Sequence, residues 1–274
     1  AIYCNSSRRT PPFNGHCLHC CEMSSSSSSS SMAGPRRLLL LSNSTMYNGE
    51  FLEFAADTVK DFFKKSAAKR ILFVPYARKD YADYAAKVKA RLGEMGFEVD
   101  SIHEAADPVS AVKMAQGIFI GGGNTFRLLK TLYESNTAEA IRNRCLVDGM
   151  PYMGASAGTN VATANICTTN YMPIFYPPTF LALRLVPFNI NPHYIEPDSD
   201  SKHMGETRDQ RIEEYLEVGN RLPVLGLKEG AILKVEGNNA VLLGNEAKLF
   251  KENADPVYYK PGTDMSFLLT DAKA

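Results

Sequence analysis

A serine flanked by small residues is the side chain in this sequence best suited to nucleophilic chemistry. It is Ser156, in the G-x-S-x-G pattern Gly154-Ala155-Ser156-Ala157-Gly158. The residues before it read as a buried strand, and those from Gly158 onward as a helix. Such a strand-to-helix turn exposes the serine Oγ, and the glycines allow close backbone approach. The pattern predicts a nucleophile, although G-x-S-x-G alone also occurs by chance in loops.

A nucleophilic serine needs N–H donors for the oxyanion that develops during attack. Ala157 would begin the helix, where its N–H and the helix dipole favour negative charge. A second glycine loop, Gly121-Gly122-Gly123, ends another apolar strand. It matches neither a dinucleotide nor a P-loop motif. Active sites of parallel sheets gather at the C-terminal ends of the strands. We therefore expect an N–H of Gly122 or Gly123 to be the second donor.

Histidine is the usual base for a serine nucleophile, and residues 32–274 contain His103, His193 and His203. His103 ends a predicted strand and is expected to be structural or on the surface. His203 lies in a polar loop and is expected to be solvated. His193 follows Pro192 at the end of an apolar strand. A histidine there is often structural, but the nearby candidate nucleophile favours a role as base.

The third member of a triad is a carboxylate that orients the imidazole. Glu229 ends a strand and precedes Gly230. The carboxylates of Glu196, Asp198 and Asp200 lie in a polar loop and are expected to be solvated. The order serine, histidine, acid differs from the serine, acid, histidine order of α/β-hydrolases, which argues against an ordinary esterase.

Apolar strands alternate with helical segments up to about residue 180, which predicts an α/β fold with a mostly parallel sheet covered on both faces. Helices are predicted at 50–65, 81–95, 108–114, 125–134, 137–148 and 206–215. After residue 180 the pattern becomes richer in short strands, beginning with 183–193. Turn residues Gly237-Asn238-Asn239 predict a hairpin.

Composition excludes some classes of partner. The chain has 30 basic and 30 acidic residues and a formal net charge of zero, so neither nucleic acid nor a membrane surface is expected as a partner. No apolar run reaches the roughly 18 to 20 residues that span a bilayer. Only Cys145 and Cys167 lie in residues 32–274. This sparse use of cysteine indicates a reducing, cytoplasmic location.

Residues 1–31 differ in composition from the rest. They end in eight serines, Ser24 to Ser31, and lack apolar periodicity. We expect a disordered leader or an expression remnant, followed by a single domain over 32–274. The pair Cys17 and Cys20, beside His16 and His19, could in principle bind zinc, but a zinc site needs a folded frame.

Five motifs in order resemble the peptidase E, or α-aspartyl dipeptidase, family: "GGGNTFRLLK", "GASAGTNVA", "TTNYMPI", "FNINPHY" and "GETRDQRI". The resemblance covers Met32 to Leu269. It implies a fold like class I glutamine amidotransferases and hydrolysis of dipeptides with an N-terminal aspartate, without metal or other cofactor. It further implies Ser156 as nucleophile, His193 as base and Glu229 as orienting acid. Arg208, in "GETR", would bind the substrate aspartate. On pattern alone, Arg208 could equally be solvated, like Arg211.

One position departs from the family pattern. Where "TTN-D-MPI" has an aspartate proposed as a triad acid, this chain has Tyr171. Tyrosine supplies no carboxylate at neutral pH, since its ordinary pKa is about 10. Either Glu229 orients the histidine, which we favour, or the triad is damaged.

The segment 253–269 resembles a hairpin tail of longer members of the family. Two alternatives remain, namely an amide hydrolase of cyanophycinase-like or β-aspartyl specificity and a non-catalytic binding protein. Oligomeric state does not follow from the sequence.

Overall fold

The computed structural model of the chain describes residues 36–270, except Ser199, Ser201 and His203. The predicted leader, residues 1–31, therefore lies outside the described residues. The strands are β1 (Arg37–Leu41), β2 (Arg70–Val74), β3 (Glu98–Ser101), β4 (Gly117–Ile120), β5 (Tyr152–Ala155), β6 (Asn189–Tyr194), β7 (Val224–Lys228), β8 (Ile232–Glu236), β9 (Asn239–Leu243), β10 (Ala247–Lys251) and β11 (Ala254–Tyr259). The α-helices are α1 (Ala56–Lys65), α2 (Tyr81–Glu94), α3 (Pro108–Met114), α4 (Thr125–Glu134), α5 (Thr137–Leu146), α6 (Ala157–Val161) and α7 (Arg208–Glu217).

The larger sheet has seven strands in the order β3-β2-β4-β5-β1-β8-β9. Strands β3, β2, β4, β5 and β1 run parallel to one another, whereas β8 pairs antiparallel with both β1 and β9. Helices α1 and α2 pack on one face, and α3, α4 and α5 pack on the other. This confirms the predicted α/β arrangement of a large sheet flanked by helices.

Strand β1 shows why the central strands are apolar throughout. Leu38 and Leu40 contribute to one core cluster, while Leu39 and Leu41 contribute to the other, and all four are fully buried. Successive side chains of a strand point to opposite faces, so a sheet covered on both sides buries every one of them. The apolar run is therefore a consequence of the two helical layers.

The smaller sheet has four strands in the order β11-β10-β7-β6. Strand β6 is parallel to β7, and the other pairings are antiparallel. Strands β10 and β11 form a hairpin, after which residues 260–270 return to the larger sheet. There the N–H of Met265 donates to the carbonyl of Ala240 at 2.8 Å.

Two predicted elements begin six residues later than expected. The helix predicted at 50–65 begins only at Ala56, because Leu52 has a φ of 55°, which a right-handed helix cannot contain. The strand predicted at 183–193 begins at Asn189, because Leu183 instead donates its N–H to Val161 in a loop pairing, at 2.9 Å. None of the described helices is both long and apolar enough to span a membrane.

Candidate active site

Ser156 lies in the abrupt turn between β5 and α6. Its backbone has φ 53° and ψ −108°, a conformation that is uncommon for any residue with a side chain. The turn is held by the N–H of Ser156, which donates to Leu41 at 3.1 Å. Thr159 Oγ1 lies 2.6 and 2.9 Å from the carbonyl oxygens of Leu41 and Gly154, which share its single hydroxyl proton. Neighbouring elements therefore maintain the strained backbone of the serine.

The two glycines of the pattern are required by close packing. A Cβ at Gly158 would overlap the carbonyl oxygen of Ile120 in β4, and a Cβ at Gly154 would lie 2.6 Å from the carbonyl oxygen of Gly158. Neither backbone atom can move without displacing a strand or the helix. The spacing of the motif thus follows from how tightly α6 packs on the sheet.

His193 is in hydrogen-bond contact with Ser156. Its Nε2 lies 3.0 Å from Ser156 Oγ. The β6–β7 register shifts between Asn191 and Tyr194, and His193 has a φ of 54°. Its N–H donates to Ser42 Oγ at 2.9 Å, while that hydroxyl donates to the carbonyl of Leu227 at 2.8 Å. Ser42 thus fixes the local irregularity in β6 that aims the imidazole at Ser156.

Glu229 contacts the other side of the imidazole. Its Oε1 lies 2.7 Å from His193 Nδ1. An ionised carboxylate only accepts hydrogen bonds, so this contact places the ring proton on Nδ1 and leaves Nε2 free to accept the serine proton. Asn245 Nδ2 donates to the carbonyl of Glu229, and the N–H of Gly230 donates to Asn43 Oδ1, both at 2.8 Å. The loop that carries the carboxylate is therefore fixed on both sides.

Tyr171 makes no hydrogen bond with His193, whose Nδ1 is engaged by Glu229. Its side chain is 40% exposed, and its N–H donates to Thr169 Oγ1 at 3.4 Å. Among the described residues, no hydrogen-bond partner is recorded for its hydroxyl. Desolvation by burial is the largest cause of the raised pKa of Tyr84, to which the charge of Tyr171 also contributes.

The glycine loop lies against the serine. A Cβ at Gly122 would be 3.1 Å from Ser156 Cβ. The N–H of Gly122 itself donates to the hydroxyl of Tyr84 at 3.0 Å. By contrast, no acceptor is recorded among the described residues for the N–H of Gly123 or of Ala157. Of the three glycines of this loop, Gly123 is therefore the one whose N–H is accepted by no described residue.

Tyr84 and Ser42 were not anticipated from the sequence. Tyr84 follows the helical pattern of α2 as an ordinary core residue, and nothing in that pattern indicates a contact with Gly122. Ser42 follows the apolar β1, so its position at the C-terminal end of a parallel strand was a usable signal. Of the other histidines, His103 Nδ1 contacts Ser101 Oγ at 2.6 Å, as expected for a structural residue, and His203 lies outside the described residues.

Arg208 is the first residue of α7. Thr207 caps this helix by accepting from the N–H of Gln210 at 3.2 Å. The Arg208 side chain is half-buried, and its pKa is lowered by burial and then by the charge of Arg211. No hydrogen bond or ion pair joins it to any described residue, whereas Arg211 Nε lies 3.6 Å from Glu206 Oε2. The two arginines therefore differ in environment.

Sequence comparisons identify the family of this chain. The profile of peptidase family S51 matches residues 38–243. A Drosophila melanogaster protein named "Probable alpha-aspartyl dipeptidase" is 50% identical over 235 residues, which are 85% of this chain and 98% of that protein. "Peptidase E" of Streptomyces coelicolor is 49% identical over 233 residues, which are 85% of this chain and 94% of that protein.

A solved structure supports the fold independently. The crystal structure of a peptidase from an acI-B1 actinobacterium superimposes with a TM-score of 0.66 at 17% identity, covering 85% of this chain and 97% of that one. At that identity the likeness concerns the fold alone. The match over most of the chain and the identities near one half place it in a family: the chain belongs to peptidase family S51, a family of serine peptidases.

Proposed function

We propose that this protein is a serine dipeptidase that hydrolyses dipeptides with an N-terminal aspartate (Asp-X) through an acyl-enzyme. The observation that carries the proposal is the continuous contact from Ser156 through His193 to Glu229, with distances of 3.0 and 2.7 Å. Relatives named alpha-aspartyl dipeptidase and peptidase E support the substrate class.

In this mechanism Ser156 Oγ attacks the carbonyl carbon of the aspartyl residue while His193 Nε2 takes the serine proton. Glu229 stabilises the imidazolium that forms. The tetrahedral intermediate collapses when His193 gives the proton to the amine of X, which leaves. A water molecule then attacks the acyl-enzyme with His193 as base, releasing aspartate and restoring the Ser156 hydroxyl.

The oxyanion is stabilised by the N–H groups of Ala157 and Gly123. Both lack an acceptor among the described residues, and Ala157 begins α6, where the helix dipole adds to the effect. Gly122 has a different role in the site, because it is not one of the two oxyanion donors. Its N–H is engaged by Tyr84 at 3.0 Å, so Gly122 supplies room beside the serine.

In this proposal Arg208 binds the side-chain carboxylate of the N-terminal aspartate of the substrate. A guanidinium can hold a carboxylate with two parallel hydrogen bonds, which lysine cannot reproduce. Breaking a buried charged pair costs roughly 2 to 5 kcal/mol, so Arg208→Met should lower kcat/KM for Asp-X by about 30-fold to several thousand-fold. Arg211→Met is the matched control and should change little. Equal losses for Asp-X and Asn-X would indicate that Arg208 supports the fold instead.

Two finer inferences concern the type of fold and the location of the protein. A serine at the end of β5, beside a glycine loop at the end of β4, agrees with a class I glutamine amidotransferase-like fold extended by β10 and β11 at the C-terminal end. Cys145 and Cys167 are free thiols, which agrees with a cytoplasmic location.

The decisive experiment compares Asp-X, β-Asp-X, Glu-X and Asn-X dipeptides with the unaltered protein. Preferential release of X from Asp-X supports the proposal, whereas faster cleavage of β-Asp-X favours β-aspartyl specificity. Labelling of Ser156 by a fluorophosphonate separates an enzyme from a binding protein, and Ser156→Ala is the control. Neither labelling nor hydrolysis would be expected of a non-catalytic relative.

A further inference from the structure

A cluster of charged and phenolic side chains connects α7 to the smaller sheet. It consists of Tyr194, Glu196, Asp209, Lys248 and Tyr258, and is called the Lys248 cluster below. Asp209 directly follows Arg208, and Tyr194 directly follows His193. The cluster therefore joins the element that carries the proposed substrate ligand to the strand that carries the proposed base.

The cluster is held together by ion pairs and hydrogen bonds. Lys248 Nζ lies 2.7 Å from Asp209 Oδ2 and 3.6 Å from Glu196 Oε2. The hydroxyl of Tyr194 donates to Asp209 Oδ1 at 2.5 Å, and the hydroxyl of Tyr258 donates to Glu196 Oε2 at 3.0 Å. Asp209 is thus held by both β6 and β10. Glu196, expected to be solvated, is instead a member of this cluster, while Asp198 and Asp200 are exposed as expected.

Burial makes these contacts costly to break. The side chains of Lys248 and Asp209 are only 8% and 17% exposed. Burial by itself would lower the pKa of Lys248, but its hydrogen bonds to Asp209 and Tyr258 outweigh that effect and raise the pKa to about 12. Lys248 is consequently charged at neutral pH and needs its carboxylate partners. The Asp209–Lys248 pair is therefore a firm attachment point.

The rest of α7 has a separate attachment. Ile212 and Leu216 pack with Tyr194, Val224 and Phe250 in an apolar cluster on the smaller sheet. Apolar packing is non-directional, so this contact holds the body of the helix without fixing the orientation of its first turn. Hydrogen-bonded ion pairs are directional. The Lys248 cluster therefore fixes the orientation of the first turn of α7, which the apolar contact leaves free.

We propose that Asp209 and Lys248 are positioning residues, which fix the first turn of α7 so that the Arg208 guanidinium is held ready for a substrate carboxylate. This inference rests on the proposed function. Two features support it: Arg208 has no partner among the described residues, and its neighbour Asp209 is bound from two strands. The β10–β11 hairpin acquires a role, because it contributes Lys248 and Tyr258.

The test uses the double variant Asp209→Asn/Lys248→Met, which removes both charges and leaves neither buried charge unpaired. We expect kcat/KM for Asp-X to fall about tenfold or more, equivalent to about 1.4 kcal/mol, mainly through KM. Lys89→Met, which removes an ion pair to Glu104 of 2.8 Å elsewhere on the surface, is the control and should leave hydrolysis unchanged.

A second readout distinguishes positioning from general damage. A fluorophosphonate has no carboxylate for Arg208, so its rate of labelling Ser156 reports on the triad and the oxyanion donors and not on Arg208. In the double variant this rate should stay within about twofold of the unaltered chain, because the triad is untouched. If the double variant does not fold, Tyr194→Phe removes the hydrogen bond to Asp209 Oδ1 without changing any charge, and the same pattern is expected at smaller size.

A double-mutant cycle tests whether the cluster acts through Arg208. In an Arg208→Met background, the same double change should have less than about a twofold further effect on Asp-X hydrolysis. The inference would be overturned if the double change caused its full loss of Asp-X hydrolysis again in the Arg208→Met background. It would also be overturned if the double variant lost fluorophosphonate labelling in parallel with hydrolysis, or if it hydrolysed Asp-X at the unaltered rate. These outcomes presuppose that the unaltered chain cleaves Asp-X. If it does not, the proposed function itself is contradicted, and the inference with it.

Discussion

At the scale of single residues, Ser156 is the proposed nucleophile. The hydroxyl contacts His193 at 3.0 Å, and the strained backbone is maintained by contacts from Leu41 and Thr159. Ser156→Ala should therefore leave the fold and the melting temperature unchanged. It should lower kcat by about 10⁴-fold or more, since triad members act as a unit. Retention of even a tenth of the activity would show that another residue is the nucleophile.

Substitutions of Glu229 and Tyr171 are expected to affect activity very differently. Glu229→Gln keeps the size of the side chain but cannot stabilise an imidazolium, so we expect activity to fall by roughly 10²- to 10⁴-fold. Tyr171→Phe removes a hydroxyl for which no partner is recorded among the described residues, and should change kcat/KM little. Steady-state kinetics on Asp-X compares the two. A larger loss for Tyr171→Phe would move the orienting role to the neighbourhood of that tyrosine.

At the scale of elements, the contact between α6 and β4 sets the position of Ser156, the proposed nucleophile. A Cβ at Gly158 would overlap the Ile120 carbonyl, so Gly158→Ala must displace the helix from the sheet. We expect a loss of about 1 to 3 kcal/mol or more in the free energy of unfolding, as for other overpacked cores. Activity should fall as well, because Ser156 moves with the helix. Urea unfolding and kinetics measure both effects.

The control for that change is another glycine in a helix. Gly93 lies within α2, and a Cβ there would meet nothing within 4 Å. Gly93→Ala should therefore stabilise the protein by up to about 1 kcal/mol, because alanine has the higher helix propensity. Similar results for the two variants would contradict the packing explanation of the G-x-S-x-G spacing.

At the scale of the whole molecule, two sheets contribute to one site. The larger sheet provides Ser156, and the smaller sheet provides His193, with Glu229 following β7. The family match begins at residue 38, within β1. We therefore predict that removal of residues 1–31 leaves the melting temperature and Asp-X hydrolysis unchanged. Thermal unfolding and kinetics of the shortened chain test this. A loss of more than a few degrees, or one equivalent of zinc bound to the full chain, would contradict it.

Local patterns in the sequence were sufficient for the elements and for part of the site. Continuous apolar runs and helical spacing predicted the large sheet and its helices, because these periodicities arise within a few residues of the chain. The junction at Ser156 and the strand end at His193 were visible for the same reason. The resemblance to peptidase E, carried by five motifs in order, predicted the family that the comparisons established.

Tertiary structure alone decided which of these groups meet. Glu229 and the carboxylate of Glu196 look alike in the sequence, since each is an acidic residue just beyond a strand. One lies 2.7 Å from His193 and the other in the Lys248 cluster, because the order and register of β6, β7 and β10 bring different strand ends together. The contact of Gly122 with Tyr84 joins residues 38 positions apart. Such contacts depend on how sheets and helices pack, and local periodicity carries no information about them.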